Sequence, residues 1–104
     1  MTRQERATQI WPILTLCASK RQLLVYEDLS WLISVPLHGL GQLLEPIQSY
    51  CIANNLPALT SIVIRSTDGI PGEGFIAAPN VPNAQAEVFS FDWSQQSCPL
   101  PDNF

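Results

Sequence analysis

The sequence predicts an α+β fold of the winged helix-turn-helix kind, a single domain over residues 1–104 with a short strand and wing and a C-terminal helix. Three observations carry that expectation. Apolar residues recur at three-and-four spacing in the first half of the chain. Ser34-Val35-Pro36 breaks two adjacent helical segments apart. The pattern then changes at Leu59-Thr60-Ser61-Ile62-Val63-Ile64-Arg65, which is β-branched and apolar. With 104 residues the chain has room for one domain, and 46% hydrophobic against 13% charged residues marks a core-forming chain.

In order along the chain, Ala7, Ile10, Trp11, Leu14, Cys17 and Ala18 predict an amphipathic helix over residues 4–18. Pro12 lies inside it and should bend or restart it, because proline removes a backbone donor. Leu23-Leu24-Val25 offers a short strand. Tyr26 to Ile33 reads as a second helix with Glu27 and Asp28 in its first turn, where the helix dipole favours anions. A third helix is expected over residues 37–53, with Leu40, Leu43, Leu44, Ile47 and Cys51 on one face, kinked or divided at Pro46 and closed by Asn54-Asn55. The strand 59–65 follows, then a turn at Asp68-Gly69 and a glycine-rich loop, Pro71-Gly72-Glu73-Gly74. Residues 77–82 read as loop. Asn83 reads as the N-cap of a last helix near 84–95, with Val88, Phe89, Phe91 and Trp93 as its apolar payload. An irregular tail is expected over 96–104.

Charge is unevenly placed. Arg3, Arg6, Lys20 and Arg21 against Glu5 give residues 1–21 a net charge of +3, whereas Arg65 against eight carboxylates gives residues 22–104 a net charge of −7. An anionic partner would therefore have to be met by the amino-terminal segment, unless its basic residues are ordinary solubilising surface. No apolar run exceeds the length of Leu23-Leu24-Val25-Tyr26, and Met1-Thr2-Arg3-Gln4-Glu5-Arg6 lacks the apolar stretch of a signal peptide, so neither a membrane span nor export is expected. Cys17, Cys51 and Cys98 are an odd count without close pairing, which points to a reduced, cytoplasmic protein. One histidine, His38, and no Cys-x-x-Cys leave too few ligands for structural zinc, and neither a phosphate-binding glycine loop nor a Gly-x-Ser-x-Gly elbow is present. No cofactor, no metal and no enzymatic activity are expected.

Several of these pieces resemble a known family. Ile10-Trp11, Val25-Tyr26-Glu27-Asp28-Leu29-Ser30, Ile33-Ser34-Val35-Pro36, Leu37-His38-Gly39-Leu40-Gly41, the strand 59–64 and Asp68-Gly69 stand in one order from residue 10 to 75. Together they resemble the carboxy-terminal winged-helix domain of O6-alkylguanine-DNA alkyltransferases and of their non-catalytic, alkyltransferase-like relatives. The resemblance implies a double-stranded DNA partner and a pocket for a flipped base. It implies that Tyr26 presses on a phosphate, a role that competes with that of a core-edge aromatic. His38 stands where the family has an arginine finger, but histidine has neither its fixed charge nor its reach, and an exposed helix-start histidine is the simpler assignment. Ser61 falls on the reactive cysteine, Thr60-Ser61-Ile62-Val63 replacing a Pro-Cys-His-Arg run. A serine without a base cannot stand in for a thiolate, so alkyl transfer is expected to be absent. Ser61 is then either a base-pocket hydroxyl or a structural strand residue.

On the helix starting at Leu37, the face that would enter the major groove offers His38, Gly39, Gln42 and Gln48 but also Glu45, without Lys or Arg. Two functions follow. One is a non-catalytic DNA-binding module that senses modified bases through Tyr26, His38, Gly39, Gln42 and Ser61. The other is an acidic winged-helix protein-interaction domain (regulator, inhibitor or defence component), with Trp31 and Glu45 on its contact surface. The glycine-rich loop is either a wing-tip turn or a ligand loop. Trp31, Trp93, Phe89, Phe91 and Phe104 are most simply expected in core and terminal packing, an exposed interface anchor being the alternative for Trp31.

Overall fold

A computed structural model describes residues 1–72, 75–76 and 79–104. Of the glycine-rich loop, Glu73 and Gly74 lie outside the described residues, as do Ala77 and Ala78 of the loop expected at 77–82. Among the described residues the fold is α-rich, with four helices and one two-stranded parallel sheet.

Helix α1 (Arg3–Ser19) opens on a capping box: Thr2 Oγ1 accepts from the Glu5 N–H at 3.1 Å, and the Thr2 N–H donates to Glu5 Oε1 at 2.9 Å. The helix runs through Pro12 without ending. Proline cannot donate to the Thr8 carbonyl four residues back. The tail supplies a substitute, since the Cys98 thiol lies 3.6 Å from that carbonyl oxygen, and the Thr8 hydroxyl in turn donates to the Pro99 carbonyl at 3.1 Å. At the other end the Gln22 N–H donates to the Cys17 carbonyl and the Arg21 N–H to that of Ala18, with Arg21 at φ 55°. That pairing is a Schellman closure, made here without glycine.

Strand β1 (Leu24–Val25) leads directly into α2 (Tyr26–Ile33), whose first turn carries Glu27 and Asp28 as expected. Ser34, at φ 57°, ends α2. A 3-10 turn at Leu37–Gly39 then feeds α3 (Leu40–Ala53), which continues through Pro46. Leu40, Leu44, Ile47, Gln48 and Cys51 are its buried residues. Asn54 and Asn55 close it, with Asn55 at φ 54°.

The strand expected over 59–65 is mostly not a strand. Leu59–Ile62 is a fully buried 3-10 turn, and only Val63–Ile64 forms β2, paired with β1 in the register Leu24↔Val63 and Val25↔Ile64. Strand β1 has two residues before α2 starts, so it offers no ladder to residues 59–62. They pack against α1, α3 and the last helix instead. No further strand follows β2 among the described residues, and a turn stands where a wing was expected. The Arg65 N–H donates to the Ile70 carbonyl and the Gly69 N–H to the Arg65 carbonyl, both at 2.8 Å. Gly69 has φ 71°, a conformation that glycine adopts without steric cost.

The last helix, α4, is Val81–Ser90 rather than 84–95, and its N-cap is Asn80 rather than Asn83. Asn80 Oδ1 accepts from the Asn83 N–H at 3.0 Å, and Pro82 sits in the first turn, where no donor is needed. Asp92 caps a separate 3-10 turn, Trp93–Gln95, and the Trp93 indole donates to the Val88 carbonyl at 2.9 Å, folding the chain back on α4. The tail holds one further turn, Pro101–Asn103, and Phe104 reaches the core. There Trp11, 2% exposed, has ring centroids at 5.5 Å from Tyr50, 5.8 Å from Trp93 and 6.2 Å from Phe104. Phe91 packs on Trp93, and Phe89 is half-buried against the same core, as expected for both.

Candidate functional site

The start of α2, α3 from Gly41 to Gln48, and Thr60, the residues 65–72 and Phe75 leave between them a cavity of about 520 Å³. This lies within the range of small-molecule sites, about 300–1,000 Å³. Its walls come from spacing. Gly41, Leu44, Glu45 and Gln48 are separated by three or four residues and form one face of α3. Tyr26 and Glu27 enter from the start of α2, and Thr60, Arg65 and Ser66 from the segment around β2. Pro71, Gly72 and Phe75 cover the opposite side.

Tyr26 is held in place by the loop. Its hydroxyl accepts from the Gly72 N–H at 3.2 Å, and a Cβ at Gly72 would stand 2.6 Å from that hydroxyl oxygen. Glycine is therefore required at 72 by close approach. Gln48, 8% exposed, accepts from the Ile76 N–H at 2.9 Å and ties the same loop to α3. Thr60 is 5% exposed and lines the cavity, yet its Oγ1 has no hydrogen-bond partner among the described residues. Buried hydroxyls are normally satisfied, so an orphan on a cavity wall is unusual.

The charges on the cavity do not balance. Glu27 and Glu45 both line it. Arg65 lines it too, but its guanidinium is paired with Asp68 at 2.8 Å. The Ser66 hydroxyl donates to the Glu27 carboxylate at 2.5 Å and holds its pKa below the ordinary carboxylate value. The cavity is thus electronegative at neutral pH, with aromatic and aliphatic walls.

No family model, curated protein or solved structure matches the chain.

Of the residues expected at a site, the structure brings Tyr26, His38 and Glu45 to this cavity. Ser61 does not line it. That residue is fully buried one position along, with its carbonyl accepting from the Gln85 side chain at 2.9 Å. The 3-10 turn at 59–62 replaces the alternation of a strand, and Thr60 rather than Ser61 meets the cavity. Gly39 is half-buried beside Val35, and Gln42 lies outside the cavity, accepting from Arg3 at 3.1 Å. Trp31, most simply expected in packing, is not packed: it stands on α2 with 80% of its surface exposed, outside the lining of the cavity. Thr60, Arg65, Ser66 and Phe75 carried no motif. Gln48 did carry a signal, being four residues from Leu44 on the face that also bears Glu45.

The basic residues of the amino-terminal segment are partly placed near α3. Arg6 donates to the Ile33 carbonyl at 2.9 Å, at the C-terminal end of α2, and Arg3 reaches Gln42. Both guanidinium groups thus sit at the α2–α3 corner. Lys20 and Arg21 lie at the other end of the 17-residue α1, roughly 25 Å away. Burial pushes all three thiols up, Cys51 to about 11, so none is poised as a thiolate. Among the described residues no cluster of three or more His, Cys, Asp or Glu could hold a metal ion, and no helix is long and apolar enough to cross a membrane.

Proposed function

We propose that the chain is a non-catalytic, winged-helix-like module of the alkyltransferase-like type, which binds double-stranded DNA and receives a modified, extruded base in the cavity beside α3. The observation that carries this reading is the cavity itself: about 520 Å³, walled by Tyr26, His38, Phe75 and Thr60, the last with a buried hydroxyl that has no partner among the described residues. A flipped base needs aromatic faces to stack on and polar groups for its edge. Support also comes from α2, its break and α3 standing in sequence, with Arg3 and Arg6 at their corner. Alkyl transfer has no candidate nucleophile here, since Ser61 is enclosed and the thiols are raised.

The exposed face of α3 carries no Lys or Arg, so phosphate attraction is small and the pocket has to supply discrimination. With two guanidinium groups at the corner, the logarithm of the binding constant should fall with the logarithm of salt at a slope of about −2. Fluorescence anisotropy of a labelled duplex with and without a modified base, at low and near-physiological salt, tests this. Tighter binding to the modified duplex, weakened by Tyr26→Ala, is the expected result. No binding at low salt, where attraction is strongest, would refute it.

A second reading rests on Trp31. An 80% exposed tryptophan one turn from Asp28 on α2 is an aromatic anchor within acidic surface. It suits a basic protein partner, with the scaffold retained and DNA binding lost. A partner captured by the wild type and lost with Trp31→Ala and Glu45→Lys would favour this reading. Equal capture by all three would count against it.

A further inference from the structure

The cavity's charge is more specific than its shape. Resting on the reading of this cavity as a base pocket, we propose that it selects a flat base carrying a positive charge, one alkylated on a ring nitrogen, over a neutral base alkylated on an exocyclic atom. Two carboxylates, Glu27 and Glu45, line the cavity, and Ser66 keeps the first ionised by donating to it. The opposing cation, Arg65, is held by Asp68 through both Nε at 3.2 Å and a terminal nitrogen at 2.8 Å. Tyr26 and Phe75 add ring faces, whose quadrupoles attract a cation.

A second observation suits a polar occupant. Thr60 lines the cavity at 5% exposure, and its hydroxyl has no partner among the described residues; that oxygen has less than 1 Å² accessible, so an occupant meets it only once the side chain turns. Leaving such a group unsatisfied costs about 1–3 kcal/mol, which an occupant with a complementary edge removes. A neutral base would satisfy Thr60 equally well but would not answer the charge of the two carboxylates, which stand exposed where they line the cavity. A cationic base does both. An anionic ligand is disfavoured for the same reason.

The test uses two isomers, 1-methyladenosine, which is cationic at neutral pH, and N6-methyladenosine, which is neutral. They share composition and differ only in where the methyl sits and in charge. Titration calorimetry of the full chain with each nucleoside should give roughly tenfold tighter binding of the cationic isomer, the scale of one favourable cation–aromatic or charge contact. Glu45→Gln, at an exposed position that tolerates the change, should bring the two affinities together. Thr60→Val should weaken both isomers alike, with circular dichroism confirming the fold of each variant.

Equal binding of the isomers, preference for the neutral one, or binding of neither would overturn the proposal. Duplexes carrying either modified base separate this from failure of the underlying reading. Discrimination among free nucleosides with no duplex binding would leave the ligand class standing and refute the DNA module. Duplex binding without discrimination would do the reverse.

Discussion

The region around Trp11 and the region around Tyr26 share α3 and treat their polar groups in opposite ways. Around Trp11 most awkward groups are answered, the enclosed Ser61 hydroxyl excepted. The carbonyl that Pro12 leaves open at Thr8 meets the Cys98 thiol, and the Trp93 indole reaches the Val88 carbonyl. Four aromatic rings interlock there at edge-on or tilted angles. Around Tyr26 the same helix faces open space, one buried hydroxyl goes unanswered and two carboxylates share a cavity with one arginine already paired. A chain this small cannot leave such features without loss of stability, so the packed side must hold the molecule together and offset the cost of the open side.

The comparison breaks first at Trp11. Trp11→Ala should cost about 3–5 kcal/mol, measured as a fall in the urea midpoint at unchanged slope. That is a large part of the roughly 5–15 kcal/mol of an ordinary domain. A loss below about 1 kcal/mol would mean that the aromatic cluster is not what holds α1 to the tail.

A smaller loss on the packed side comes from alkali. Burial raises the Cys51 thiol to about 11. Its pKa is higher folded than unfolded, so its contribution is fully present below the unfolded value and is lost as pH rises through the folded one. Stability should therefore fall by about 2–3 kcal/mol between roughly pH 9 and pH 11. Cys51→Ala should remove that slope while costing stability at neutral pH. An alkaline slope unchanged in Cys51→Ala would assign the loss to other groups.

How much of each region was legible follows from how local its causes are. Helix α2 matches its expected limits because the apolar spacing, the acidic first turn and the Ser34-Val35-Pro36 break all lie within it. The continuity of α1 through Pro12 was not legible, since the group that answers Thr8 is 90 residues away. Leu59-Thr60-Ser61-Ile62 has the composition of a strand, but composition reports burial, and β1 is too short to pair with it. The last helix was displaced because two asparagines, Asn80 and Asn83, could each cap it, and Pro82 between them favours the first. At the cavity, Tyr26 and His38 were singled out by the family resemblance and Glu45 by its place on the third helix, and all three line it. Ser61 was expected on a strand; with residues 59–62 in a 3-10 turn, Thr60 lines the cavity instead.

On the open side, Gly72→Ala sharpens the contrast. A Cβ 2.6 Å from the Tyr26 hydroxyl and 3.3 Å from its ring must displace the side chain. The expected cost is about 1–3 kcal/mol, as for other overpacking substitutions. Adding Tyr26→Phe removes the clashing oxygen, so the double variant should be more stable than additivity predicts. Additive losses would show that the loop moves rather than the tyrosine.

The smallest effect on stability is the most informative. Thr60→Val replaces an unpartnered buried hydroxyl by a methyl. Were that hydroxyl part of the fold's own hydrogen bonding, its loss would cost about 0.5–1.5 kcal/mol. As an orphan it already carries a desolvation penalty, so the variant should lie within about 0.5 kcal/mol of the wild type or above it. The same substitution at Ser61, Ser61→Val, tests the other buried orphan, which is enclosed and off the cavity. There the added volume meets close-packed neighbours and should destabilise. Binding should respond in the opposite sense, weakening in Thr60→Val through loss of a direct contact. Ser61→Val should leave affinity intact under conditions where the variant remains folded. Two adjacent buried hydroxyls, both without a partner among the described residues, would thus be told apart by whether a ligand is their missing partner.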